Sequence, residues 1–413
     1  MDVTSGIRKR RRVVGLYLRT NTFDSPTTSG SDRGTRSGRS PSLTYTSIES
    51  KHSTGAMTAT RRRVLRGSAS ALLAGLAGCA AIPSGPDSSD DTSPDAPSTV
   101  AGETYAAVYE DAIDSIVMIR TGKGRGTGFV FDDTYVVTNA HVVGRSTAVD
   151  VRVTDGQWRA GSVVGTDPHS DLAAVAVDAL PAAATPLPFV DEQPSVGREV
   201  VAIGNPFDLE GTVTTGIVSG TDRSIPAPTG YSIPDAIQTD AAVNPGNSGG
   251  PLVTLGGRVA AVINSGGGDN IAFGISAALT ERVVPHLIET GDYDHPYAGV
   301  SVTAATPDIA AANGLGESRG LLVVEIADGA PAEGVIEPST RARYRDGERV
   351  PVGGDVLLAV DGTELTTKEE LGSYLALETR PGDTVELTIL RSGSELTVPL
   401  ELGTRPLRRG PYR

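Results

Sequence analysis

Apolar positions along this 413-residue chain fall into short runs broken by Gly, Asp and Pro. From residue 117 onward, runs at 128–131, 135–138, 149–153, 200–203 and 258–263 have strand length and turn residues around them. That rhythm predicts an all-β sandwich or barrel as far as about residue 290. Two stretches there read as helices instead: 104–114 ahead of the strands and 279–288 behind them. Composition shifts at Gly291-Asp292-Tyr293-Asp294-His295-Pro296, which reads as a hinge. Beyond it, strands are predicted at 321–326 and 356–360, the latter turning at Asp361-Gly362. Thr366-Thr367-Lys368-Glu369-Glu370 carries capping-box spacing, and the helix after it places Leu371, Tyr374 and Leu375 on one face. Runs at 384–390 and 396–400 predict a closing hairpin across Ser392-Gly393. The chain is thus mainly β, with a larger region at 103–290 and a smaller α+β region at 293–405.

The first hundred residues break this pattern. Residues 1–56 are rich in Ser, Thr and Arg with little apolar periodicity, and read as a disordered leader or an upstream mis-start. Residues 57–79 carry Thr60-Arg61-Arg62-Arg63-Val64-Leu65-Arg66, a twin-arginine export pattern, then an apolar run at 67–77 too short to span a bilayer. Leu76-Ala77-Gly78-Cys79 follows and resembles a lipobox, which predicts lipidation of Cys79 and anchoring to the outer face of the cytoplasmic membrane. Residues 80–102 are Ser, Asp, Pro and Gly, the composition of a disordered tether.

Composition sharpens the picture. With 50 Gly, 27 Pro and 4% aromatics, the chain is built of turns and short strands. A single cysteine permits no intrachain disulfide. Before Cys79 there are 14 Lys/Arg and 4 Asp/Glu; from Cys79 onward there are 22 and 46, a balance of −24. So acidic a chain argues against nucleic-acid binding. With Lys so scarce, it suits a halophilic protein whose self-repulsion salt screens, or a plain soluble acidic surface.

Three local sequences carry chemistry. Thr138-Asn139-Ala140-His141-Val142-Val143 puts an imidazole at the end of an apolar strand. Asp167-Pro168-His169-Ser170-Asp171-Leu172-Ala173 sets carboxylates beside the strand at 172–177. Asn244-Pro245-Gly246-Asn247-Ser248-Gly249-Gly250-Pro251 surrounds a serine with glycines. A serine hydroxyl needs a base to become a nucleophile, and the oxyanion it creates needs converging N–H donors. Glycines there let backbone amides aim inward and a substrate backbone approach. His141 is the candidate base, Asp171 its orienting carboxylate and Ser248 the nucleophile, with amides of Gly246, Asn247 and Ser248 as the oxyanion hole. The order His, Asp, Ser, with gaps of 30 and 77 residues, is that of chymotrypsin-type barrels. His169 as base and Asp167 as the carboxylate are rival assignments.

The segment resembles the HtrA/Deg family of trypsin-like serine proteases, on Gly126-Thr127-Gly128-Phe129-Val130, the His141 and Asp171 motifs, Ala202-Ile203-Gly204-Asn205-Pro206-Phe207, Gly216-Ile217-Val218-Ser219 and residues 238–251. That resemblance implies a double β-barrel, no cofactor and no metal, and trimers built through the segment before the first barrel. Tyr105 and Tyr109 lie in that segment, as trimer contacts or as ordinary packing. Ala242 stands six residues before Ser248, where proteases that cut after Lys or Arg place a carboxylate, so the pocket should favour small aliphatic residues. Asp240 nearby reads as a strand-end hydrogen-bonding residue. Asn247 stands where zymogen-type relatives have Asp, which argues against activation by propeptide cleavage.

The C-terminal region resembles a PDZ domain of the HtrA type. Tyr297-Ala298-Gly299-Val300 matches its carboxylate-binding turn, although Ala298 replaces a commoner larger aliphatic residue. Gly329-Ala330-Pro331-Ala332, Gly354-Asp355-Val356-Leu357 and Pro381-Gly382-Asp383-Thr384-Val385 match as well. Such a module takes a peptide C-terminus as an added strand. An insertion at 339–351, with four arginines and a turn at Asp346-Gly347, reads as an extra hairpin, either a solvated loop or a docking surface for an acidic partner. Three functions remain open: an endopeptidase cutting unfolded exported proteins, a protease switched on by peptide C-termini, and a proteolytically silent chaperone.

Overall fold

The structure is a computed structural model that describes residues 101–205, 211–268, 270–345 and 347–407. The leader, the twin-arginine segment, Cys79 and residues 80–100 of the tether lie outside the described residues. Among the described residues, no helix is long and apolar enough to cross a membrane.

Helix α1 (Ala101–Ala112), continued by a 3-10 turn at Ile113–Ser115, leads into the first barrel. Six strands close it: β1 (Ile116–Arg120), β2 (Arg125–Val130), β3 (Tyr135–Asn139), β4 (Ala148–Arg152), β5 (Trp158–Asp167) and β6 (Leu172–Val177), in the order β1-β2-β3-β6-β5-β4. The one-turn helix α2 (Ala140–Val143) sits between β3 and β4. A second barrel, in the order β10-β11-β12-β9-β8-β7, is made of β7 (Glu199–Gly204), β8 (Thr212–Pro226), β9 (Ser232–Thr239), β10 (Pro251–Thr254), β11 (Val259–Gly268) and β12 (Ile271–Ser276). Alternation makes these strands: in β4, Val149 and Val151 are buried while Ala148 and Asp150 are exposed. Closure removes the sheet edges that so many short strands would otherwise expose. One apolar cluster runs through both barrels, from Phe129 and Leu172 to Ile203, Val262 and Leu287.

Helix α3 (Ala277–Glu289) follows, its first turn capped by Ser276, whose hydroxyl accepts the Leu279 amide at 3.2 Å. It begins and ends within two residues of the stretch expected from sequence.

The C-terminal region is a sheet in the order β14-β15-β18-β20-β21, with β19 (Thr363–Glu364) on β18. Its strands are β14 (Val300–Ala304), β15 (Leu321–Ile326), β18 (Val356–Val360), β20 (Thr384–Arg391) and β21 (Ser394–Glu401). Helix α4 (Pro307–Asn313) and helix α5 (Lys368–Glu378) pack beside it. The capping box forms at Thr367: its hydroxyl accepts the Glu370 amide at 3.1 Å, and the Glu370 carboxylate takes the Thr367 amide at 3.1 Å. The insertion is a hairpin of β16 (Arg341–Arg345) and β17 (Glu348–Val352). A short ribbon joins β13 (Pro296–Tyr297) to β22 (Gly403–Thr404).

The segment that composition reads as a hinge is tied down instead. His295 is buried and its carbonyl accepts the Arg405 amide at 2.8 Å. Arg282 of α3 reaches across to α5, donating to the carbonyls of Leu377 and Thr379, each at 2.5 Å. Those carbonyls end a helix and lack intrahelical donors, so a guanidinium suits them. Ser373 of α5 also donates to Asp222 of β8. Polar groups thus hold the C-terminal sheet against the second barrel.

Candidate active site

The β3–β6 register brings His141 and Asp171 together. Asn139, the last residue of β3, pairs with Leu172, the first of β6. The residues just beyond them, the start of α2 and the end of the β5–β6 turn, therefore meet. Ala140 donates its amide to the Asp171 carbonyl at 3.0 Å, and Asn139 Nδ2 donates to the same carbonyl at 3.1 Å. Asp171 itself has φ of 56°, a left-handed conformation that Asp tolerates better than most residues.

The Asp171 carboxylate is buried and fully used. Oδ1 accepts the His141 amide at 2.9 Å. Oδ2 accepts His141 Nδ1 at 2.6 Å and Asn264 Nδ2 at 2.7 Å. The bond to a carboxylate places the imidazole proton on Nδ1 and leaves Nε2 as the basic nitrogen. Burial pushes the His141 pKa down, but the hydrogen bond and charge of Asp171 more than offset this, and the net shift is upward.

Ser248 lies on the loop between β9 and β10. Two contacts to Thr127 of β2 stitch this loop to the first barrel, and a third ties Asn205, just after β7, to the same side chain. Thr127 N donates to the Ser248 carbonyl at 2.9 Å, and Thr127 Oγ1 donates to the Gly246 carbonyl at 2.6 Å while accepting the Asn205 amide at 2.9 Å. Gly249, with φ of 87°, passes so close to β2 that a Cβ would stand 2.1 Å from the Thr127 carbonyl oxygen. Gly246 has φ of 109°. The Asn247 amide donates to the Asn244 carbonyl at 2.9 Å, which takes it out of the set of expected oxyanion donors. Its side chain is fully buried against Gly204, where a Cβ would meet Asn247 Oδ1 at 2.5 Å. Among the described residues, the amides of Gly246 and Ser248 donate to no protein acceptor.

The Ser248 hydroxyl donates to the Asn264 carbonyl at 2.9 Å. Among the described residues it forms no bond to His141, so the structure brings His141 to Asp171 but leaves Ser248 turned to Asn264. Asn264 and Thr127 are positioned here without any signal that singled them out in sequence. For Asn264 the available hint was an amide at the end of the apolar run at 258–263. Thr127 lay inside a quoted motif but was given no role.

Neither rival fits the same place. His169 is buried, with Nδ1 3.2 Å from Thr229 Oγ1. Asp167 accepts the His169 amide at 2.9 Å and His295 Nε2 at 2.6 Å. Asp240 accepts the Ile217 amide at 2.7 Å, the strand-end role expected of it. Tyr105 and Tyr109 pack on the core that joins the barrels, and the Tyr105 hydroxyl donates to Glu199.

In the C-terminal region, Tyr297, Ala298, Gly299 and Val300 form the turn between β13 and β14. Gly299 has φ of 77°, and a Cβ there would strike Ala330 Cβ at 2.1 Å. The amides of Ala298 and Gly299 donate to no backbone acceptor among the described residues. The turn heads a cleft between β14 and α5, walled by Val300, Val302, Leu371 and Leu375. Tyr231 and Pro234 of the second barrel close one side.

Comparison with known proteins agrees with this architecture. Residues 126–262 match the trypsin-like peptidase domain, and residues 296–402 match the PDZ domain. A probable periplasmic serine endoprotease, DegP-like, of Rhizobium meliloti is 40% identical over 291 residues, covering 69% of this chain and 54% of that protein. The similarly named protein of Chlamydia trachomatis is 36% identical over 296 residues, covering 69% and 55%. The chain therefore spans about half the length of the curated relatives it matches. Among solved structures, the HtrA-type protease AlgW with a tripeptide is 32% identical, with a TM-score of 0.58 over 73% of this chain and 97% of that one. The serine endoprotease of Yersinia pestis is 27% identical, with a TM-score of 0.53, covering 73% and 98%. With its two six-stranded barrels followed by a PDZ domain, the chain belongs to the HtrA family of trypsin-like serine proteases.

Proposed function

We propose that this protein is an exported serine endopeptidase that cleaves unfolded or damaged proteins with the triad His141, Asp171 and Ser248. The observation that carries it is the pair of hydrogen bonds that Asp171 accepts from His141, from ring Nδ1 at 2.6 Å and from the amide at 2.9 Å. An imidazole so held presents Nε2 as a base in fixed orientation. The Ser248 hydroxyl leaves the Asn264 carbonyl and gives its proton to His141 Nε2 as Oγ attacks the scissile carbonyl. The carbonyl oxygen becomes an oxyanion facing the amides of Gly246 and Ser248. His141, now cationic beside Asp171, protonates the leaving amine. Water then hydrolyses the acyl-enzyme by the same proton transfers in reverse. With Ala242 where proteases that cut after Lys or Arg place a carboxylate, cleavage should favour small aliphatic residues.

The free amides of Ala298 and Gly299 suit the carboxylate of a peptide C-terminus, with the peptide lying along β14. Export is in keeping with relatives named as periplasmic endoproteases; lipidation at Cys79 and anchoring to the outer face of the cytoplasmic membrane rest on the sequence, and homotrimer assembly through the segment around α1 on the family resemblance. Casein digestion in molar salt tests the main reading: the protein cleaves it and Ser248→Ala does not. Equal traces from the two would reject it.

A second reading is favoured by one observation. The Ser248 hydroxyl rests on the Asn264 carbonyl and not on His141. A protease whose nucleophile is parked until a peptide C-terminus fills the cleft at 297–300 would look like this. C-terminal peptides would then raise kcat; an unchanged rate at saturating peptide counts against it.

A further inference from the structure

A fully buried carboxylate–imidazole pair lies just behind the turn that holds Asp171, and the chemistry above does not use it. Asp167 ends β5 opposite Leu172, so its side chain sits under the turn that ends in Asp171. Both oxygens are spent on that turn. Oδ1 accepts the His169 amide at 2.9 Å, and Oδ2 accepts the Ser170 amide at 3.1 Å and the Ser170 hydroxyl. An aspartate turn needs no more than these local bonds. Here a further donor arrives from residue 295: His295 Nε2 stands 2.6 Å from Asp167 Oδ2, with side-chain exposures of 1% and 2%.

His295 is held from the C-terminal side. The Arg405 amide donates to its carbonyl at 2.8 Å, and the next two residues pair with Thr404 and Gly403. Around the pair, the Tyr293 ring lies 4.7 Å and the His169 ring 5.4 Å from the His295 ring. The Arg405 guanidinium lies 5.4 Å above the Tyr231 ring, and the Thr229 hydroxyl faces His169. His169 is neutral at pH 7, its pKa pushed down to about 4, mainly by burial. Burial pushes Asp167 up, but the bond and charge of His295 and the bonds from Ser170 and His169 outweigh it, and its pKa falls below the usual carboxylate range.

We propose that His295 is a positioning residue for the peptidase reaction: by clamping Asp167 it fixes the 167–171 turn, and through it the Asp171 carboxylate that holds His141. The proposal rests on the triad reading above. Asp171 keeps its left-handed backbone because its neighbours enforce it, and the clamp closes that enclosure from below. It also makes the start of the PDZ region part of the catalytic support.

The test uses the full chain and three variants, assayed on a short chromogenic peptide and by labelling with a fluorophosphonate. His295→Leu keeps bulk and removes the donor. His295→Asn stays polar but ends one bond short of Asp167. His295→Gln places an amide nitrogen where Nε2 stood. Loss of the clamp should lower kcat by about tenfold to a hundredfold in the Leu and Asn variants with little change in KM. The acid limb of the rate should move to lower pH, because a displaced Asp171 no longer supports protonated His141. His295→Gln should recover most of the rate and the limb position. If His295→Leu does not fold, the Asn and Gln pair decides. Folded Leu or Asn variants with kcat within about twofold of wild type would overturn the proposal. So would a loss of rate that follows the unfolding midpoint with no shift of the limb. A wild-type protein that neither cleaves nor labels at Ser248 sinks the triad reading itself, and this inference with it.

Discussion

Three donors converge on the Asp171 carboxylate: the His141 amide, the His141 ring and the Asn264 amide group. Each does a separate job. The first fixes the helix turn carrying His141, the second sets the tautomer, and the third holds the carboxylate from the second barrel. Asn264→Leu removes the only one of the three from outside the first barrel. It should lower kcat/KM by roughly tenfold, read by steady-state kinetics. The raised pKa of His141 has a sign that can be worked out. The base form populates only above the raised value, so kcat/KM should climb with pH through a midpoint above the ordinary histidine value of about 6.5. The stability from this pairing runs the other way: it is fully present below the ordinary value and is lost as pH rises through the raised one. A rate profile with its midpoint below the ordinary value would contradict the pairing. The meeting of His141 with Asp171 was legible because His141 follows one apolar strand and Asp171 precedes another, and Ser248 stood out by the glycines around it. Asn264, Thr127 and His295 were not, because their partners lie 93, 119 and 128 residues away in sequence and no local pattern marks such contacts.

At the scale of the element, the loop carrying Ser248 makes one of the tightest demands on backbone. Gly249→Ala forces a Cβ to 2.1 Å from a carbonyl oxygen in a left-handed conformation, and rigid β2 cannot give way. The variant should label poorly with a fluorophosphonate even if it folds, because Ser248 must shift. The α5 capping box allows a milder test. Thr367→Ala should cost about 1 kcal/mol, read as a lower denaturation midpoint with an unchanged slope. Elements dominated by an apolar run, such as β15 and β18, were readable to the residue. β8 was not: over 15 residues its positions are mostly half-buried or exposed Thr, Gly and Ser, and it presents no apolar run to find. The segment at 291–296, read as a hinge, does link α3 to β13 without regular structure, but its anchoring was not legible. Gly, Asp and Pro mark a break in regular structure, but they say nothing about the buried histidine that pins it.

For the whole molecule, the question is how the PDZ sheet is held to the barrels. Arg282 supplies two bonds to the end of α5, and its Nε donates to the Tyr293 hydroxyl at 2.9 Å. Arg282→Ala should loosen that contact, and small-angle scattering should show a larger radius of gyration with both domains still folded. An unchanged radius would mean the contact carries little. The acidic balance of −24 from Cys79 onward belongs to this scale as well. The measurement that bears most directly on the account is fluorophosphonate labelling read by peptide mapping. The triad predicts a single modified residue, Ser248, with labelling abolished in His141→Ala. Modification at another serine, or labelling of Ser248 that does not depend on His141, would contradict it.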